Sequence, residues 1–93
     1  MNILNKRKLL ATLIINKKNV KYNEFINLIQ AFGFVLKRSA GSHNFYKHKN
    51  YPICLNTQNK NGEAKPYQIE QFLKLIEKYG LTMEKQEEDL INE

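Results

Sequence analysis

Residues 33–48 read GFVLKRSAGSHNFYKH, and the architecture of the chain follows from how this stretch folds. FVLKR is rich in residues that favour extended backbone, SAGS supplies the glycine and small side chains of a tight turn, and NFYKHK returns as a second extended run. Strands joined by so short a link lie antiparallel. A third extended run follows with almost no room for a loop, so the spacing predicts strands over 34–38, 44–49 and 51–56 in one antiparallel meander.

Outward from the meander the period changes from two to that of a helix. Tyr22, Phe25, Leu28, Ile29 and Phe32 form one apolar stripe, which stops at Gly33. Ile69, Phe72, Leu73 and Ile76 form another, which Pro66 opens and Gly80 closes. Each closing glycine precedes an apolar residue, Phe34 or Leu81, placed to fold back on Ile29 or Ile76 as in a Schellman cap. Upstream, Leu9, Leu10, Leu13 and Ile14 predict a short amphipathic helix over 5–15. Lys6, Arg7 and Lys8 crowd its start, where the helix dipole disfavours a cation by about 0.3–1 kcal/mol, and they suit a phosphate contact. Residues 57–65, TQNKNGEAK, are polar and read as a loop. The order is therefore α+β: an extra N-terminal helix, then helix, three-stranded antiparallel sheet and helix. The helices cover one face of the sheet and leave the other open. Three parts are expected: an N-terminal helical extension over 1–19, a domain over 20–81 and an acidic tail over 82–93.

With 93 residues the chain has room for one small core. Cys54 is its single cysteine, which excludes an internal disulfide; lying in an apolar run, it is expected to pack rather than react. No stretch approaches the ~20 apolar residues of a membrane span, and no cleavage site follows the basic, apolar N-terminal segment. A cytoplasmic protein with no membrane partner is expected. The net charge of +6 conceals an asymmetry: residues 1–81 hold 14 Lys and Arg against 4 acids, whereas 82–93 hold one lysine and five acids. A body this basic suits a polyanion, whose phosphates it would neutralise with release of counterions.

The chemistry available is narrow. The first aspartate is Asp89, and Glu24, Glu63, Glu70 and Glu77 are scattered, so the clustered carboxylates of a two-metal nuclease are missing and no cofactor is expected. Cutting RNA without metal needs a base for the 2′-hydroxyl, cations for the phosphate charge and a donor for the leaving oxygen. His43 sits at the turn into the second strand, beside Gly41 and Ser42. Lys37, Arg38, Lys47 and Lys49 surround it, with Phe45, Tyr46 and Tyr51 interleaved, a pattern suited to RNA. Alternation along the strand sends Phe45 and Tyr46 to opposite faces; Phe45 is expected inside and Tyr46 outside, among the RNA contacts, an order that a bulge would reverse. His48 reads as a surface cross-strand residue. Lys60 and Lys65 precede the last helix, whose N-terminus is a phosphate site in its own right. On the residues alone His43 is open to two readings, a solvated turn residue and a catalytic base.

The run GFVLKRSAGSHNFYKH resembles the signature of the HicA family of messenger-RNA interferases, the toxins of bacterial toxin-antitoxin pairs: Gly-Phe after a helix, an arginine, then Gly-Ser-His entering the second strand. The likeness extends over about residues 20–81. It implies a fold like the double-stranded-RNA-binding domain, catalysis by His43 with Gly41 and Ser42 shaping its turn, single-stranded RNA or mRNA as substrate, and a HicB-type antitoxin as partner. The alternative is a non-catalytic RNA-binding module on the same fold.

Overall fold

The computed structural model describes residues 3–83. Its elements are α1 (Ile3–Ile15), α2 (Tyr22–Ala31), β1 (Phe34–Ala40), β2 (His43–His48), β3 (Cys54–Lys60), β4 (Glu63–Ala64) and α3 (Pro66–Tyr79). The sheet is an antiparallel meander in the order β1-β2-β3-β4, so the α+β architecture expected from sequence is the one observed. The charged part of the acidic tail, 84–93, lies outside the described residues.

Local chemistry explains where each element stops. Ala40 pairs with His43, leaving a two-residue turn in which Gly41 takes φ +62°, a value costly for any residue with a Cβ. Pro66 opens α3, Gly80 closes it, and the Leu81 amide donates to the Ile76 carbonyl at 3.1 Å, as the Schellman reading requires. The stretch expected to be a loop, 57–65, instead completes β3 and turns into β4. Its hinge is Asn61-Gly62 at φ 54° and 86°, the pair that two-residue hairpins of mirror-image twist select. The third strand accordingly starts at Cys54 rather than at Tyr51, and residues 49–53 make a real connection.

α2 and α3 pack on one side of the sheet, and α1 packs against α2. The centre of that core is Phe72 on α3, whose ring meets Phe25 of α2, Phe32 at its end and Phe34 of β1 edge-on, at centroid distances of 5.7, 5.4 and 6.1 Å. Edge-to-face pairs of this kind add about 0.5–1.5 kcal/mol each beyond the area they bury. Leu13 of α1 is fully buried in the same cluster. Lys6 is only 4 % exposed, which removes it from the phosphate contact suggested for the start of α1.

Replacing Phe72 by Ala is expected to cost about 3–5 kcal/mol, because it empties the point where three elements meet. Urea denaturation measures this; an unchanged midpoint would mean that α3 presents another face to the sheet.

Candidate functional site

β2 sorts its side chains by parity. Asn44, Tyr46 and His48 turn toward the helices, while His43, Phe45 and Lys47 turn to the open face. The neighbours follow from register: Lys47 pairs with Cys54, Phe45 with Asn56 and His43 with Gln58 on β3, and Ala40 pairs with His43 on β1. Between Leu36 and Arg38 the β1 register slips by one residue, since Leu36 opposes Tyr46 but Arg38 opposes Phe45. Lys37 is thus an extra residue, a β-bulge, and it sets Arg38 on the same face as His43. The Arg38 guanidinium lies 4.5 Å from the Phe45 ring centroid, a cation–π contact worth about 0.5–1 kcal/mol at an exposed position. Residues 34–60 contain no acid, so β1, β2 and β3 offer this face cations without counter-charge.

His43 is half-buried, with Nδ1 3.4 Å from Asn56 Oδ1. A carbonyl oxygen there accepts, so in the neutral ring a hydrogen on Nδ1 satisfies the contact and leaves the lone pair on Nε2. Asn56 is a residue that sequence reasoning missed; only the β2–β3 register, which the misplaced start of β3 obscured, would have put it beside the histidine.

The strand segment carrying His43 is held from behind. Asn44 Nδ2 donates to Tyr22 Oη at 2.7 Å, and Thr57 Oγ1 donates to the Asn44 carbonyl at 3.0 Å. With the Thr57 proton so used, the 2.8 Å contact between Tyr22 Oη and Thr57 Oγ1 is donated by the tyrosine, and Ser39 Oγ completes the chain on Asn44 Oδ1 at 2.7 Å. On the turn itself, Gln58 Nε2 donates to Ser42 Oγ at 3.1 Å while the Gln58 amide donates to Gln68 Oε1, on α3, at 2.9 Å. The Tyr22–Thr57 contact is buried and the links to Asn44 and Gln68 are half-buried, so breaking one of these leaves a partner poorly solvated; the Ser39 and Ser42 ends are exposed to water.

The other expected site residues divide. Lys37, Arg38 and Lys47 are exposed on or beside the open face. Lys49 is exposed too, yet it follows the far end of β2, roughly 20 Å along the strand from His43. Lys65 caps the start of α3, its ammonium 5.8 Å from the Tyr67 ring centroid, outside the sheet face. Three expectations are corrected. Tyr46 is 5 % exposed and faces the core, where burial, and then the neighbouring Tyr22, push its phenol pKa up; Phe45 is the outward aromatic. His48 is 6 % exposed: its Nε2–H donates to the Phe32 carbonyl at 2.7 Å and its Nδ1 accepts from the Asn50 amide at 3.0 Å, so it is a structural residue. Cys54 is exposed because it shares the outward parity of Lys47.

Among the described residues no group of three or more His, Cys, Asp or Glu could hold a metal ion, and no helix is long and apolar enough to cross a membrane. A small basic α+β domain with one histidine on an uncovered antiparallel sheet is the class that fold and site define. The model of the HicA toxin of bacterial toxin-antitoxin pairs matches residues 22–86, and the chain belongs to that family. It is therefore a toxin with a cognate antitoxin as partner. No curated protein and no solved structure matches it.

The Asn56 contact favours the Nδ1–H tautomer of a neutral His43 ring. Nitrogen-15 spectra of the neutral imidazole are expected to show the Nδ1–H form in excess, and Asn56→Ala is expected to shift the balance toward Nε2–H. A dominant Nε2–H form in the parent protein would contradict the assignment of the Asn56 amide.

Proposed function

We propose that this toxin is a metal-independent endoribonuclease that cuts single-stranded mRNA with His43 as the general base. The observation that carries the reading is the pairing of a histidine whose Nδ1 is engaged by Asn56 Oδ1 with an open, acid-free face bearing Arg38 and Lys47. His43 Nε2 takes the proton of the 2′-hydroxyl, the 2′-oxygen attacks the adjacent phosphorus, and the bond to the 5′-oxygen breaks. The products are a 2′,3′-cyclic phosphate and a 5′-hydroxyl. Arg38, diagonal to His43 across β1 and about 7–8 Å away between side-chain roots, meets the charge that builds on the phosphate. Tyr46 and His48 face the core, so the proton for the 5′-oxygen comes from a cation of the open face or from water. The toxin acts in the cytoplasm, and a HicB-type antitoxin silences it by covering the same face.

The test is cleavage of single-stranded RNA in EDTA. The parent protein is expected to retain full activity, and His43→Ala to lose at least about 100-fold, the usual range for removing a general base. His48→Ala is expected to keep the chemistry and lose about 1–3 kcal/mol of stability, because the Phe32 carbonyl is left without its donor. Equal cleavage by His43→Ala would overturn the catalytic role, and RNA binding with no cleavage by the parent would favour the non-catalytic module.

A further inference from the structure

Phe45 occupies the middle of the open face, one alternation from His43, or about 6.5–7 Å along the strand. It is an aromatic ring left half-exposed between Arg38 and Lys47, on a face whose apolar remainder is small: Val35, Ala40 and Cys54. The shallow depression around it, about 350 Å³, is lined by Lys37, Arg38, Phe45, Tyr46, Lys47 and Cys54. Its floor is apolar and its rim carries three cations. The Arg38 guanidinium carbon lies 4.5 Å from the Phe45 ring centroid, and a guanidinium resting its flat surface on a ring keeps its N–H groups in its own plane, available to a phosphate.

A flat apolar floor with a cationic rim matches one chemical object closely: an unpaired nucleobase, which has apolar faces, joined to phosphates that need positive charge. A base inside a duplex already has both faces stacked and cannot use the floor. The bulge at Lys37 contributes directly, because a regular β1 would put Lys37 opposite Phe45 and send Arg38 to the helix side.

We propose that Phe45 and Arg38 form a base-stacking subsite that seats an unpaired nucleobase of single-stranded RNA beside the phosphate being cut. The subsite rests on the reading of His43 as a ribonuclease base, and it makes the enzyme selective for single strands. Arg38 has two roles there: its flat surface supports the stack and its outward N–H groups bind phosphate. Loss of the Phe45 ring removes an interaction worth a fixed factor per base, whatever the base, since every base has a π-face.

Binding is measured by fluorescence anisotropy with a short single-stranded 2′-O-methyl oligoribonucleotide, which cannot undergo 2′-hydroxyl attack and so reports the subsite independently of cleavage. Phe45→Leu keeps the apolar bulk and removes the aromatic face; it is expected to weaken binding at least about fivefold. Phe45→Tyr is expected to stay within about twofold of the parent. An abasic strand of the same length is expected to bind the parent and Phe45→Leu equally, as is a duplex of the same sequence. The proposal is overturned if Phe45→Leu binds the single strand as well as Phe45→Tyr does, or if its loss is equally large with the abasic strand. It is overturned too if Phe45→Leu leaves RNA affinity intact and weakens only the antitoxin. Failure of the His43 reading appears separately, as cleavage by His43→Ala, and leaves these comparisons interpretable.

Discussion

One inserted residue in β1 determines which side chains share the open face with His43. Up to Leu36 the strand pairs regularly with β2; beyond Lys37 every residue is displaced by one, and with it the face that each presents. The displacement brings Arg38 across from Phe45 and puts Ser39 opposite Asn44, where its hydroxyl reaches Asn44 Oδ1. The cation of the open face and the outermost link of the polar chain therefore depend on the same backbone irregularity. A strand without it would have the same composition and a different site.

The chain's two histidines show how completely parity divides the labour. They lie at the two ends of β2, in the same strand and the same basic surroundings, yet one turns outward and the other inward. His48 is held through both ring nitrogens by backbone groups and stands edge-on to Phe34 at 5.1 Å, so it continues the aromatic core that Phe72 centres. His43 has one nitrogen engaged by an amide side chain and the other left to the open face. The placement of His43 is supported from the helices: Tyr22 and Gln68 reach Asn44 and Gln58 beside the catalytic candidate, so packing of α2 and α3 is felt at the turn. Partial burial of these links raises the cost of breaking them.

How much of this the sequence disclosed can be judged residue by residue. The helices were legible because apolar spacing and the Pro66 and Gly80 signals agree, and the β1–β2 hairpin because AGS leaves no room for anything else. The outward face of Phe45 is legible in the sequence once His43 is placed outward. Residues 43 and 45 share a face, so an outward His43 requires an outward Phe45 and an inward Tyr46. The Asn61-Gly62 hairpin was also legible in principle; the polar composition around it concealed a strand so short and so edge-placed that no alternation marks it. The bulge was different in kind. Nothing in FVLKRSA distinguishes a regular strand from a bulged one, because the preference comes from the partner strand and from the polar chain behind it. The contact between Asn56 and His43 depends on register across two strands and was beyond reach for the same reason.

The bulge has a second physical consequence, which concerns the edge of the sheet. β1 is a terminal strand, and Val35 and Leu36 on it are 43 % and 45 % exposed. An exposed apolar edge with free backbone donors and acceptors invites pairing with another chain. Lys37 interrupts the ladder just after these residues and Arg38 follows it, so a foreign strand could extend over only a few residues before meeting a twist and two positive charges. The device also preserves access. A strand added along β1 would wall the Phe45 depression on the side where Lys37 and Arg38 now form its rim, and the charges that discourage such a strand are those that favour a phosphate backbone. Resistance to edge pairing and attraction for a polyanion are thus two effects of the same pair of residues, separated only by the sign of what approaches.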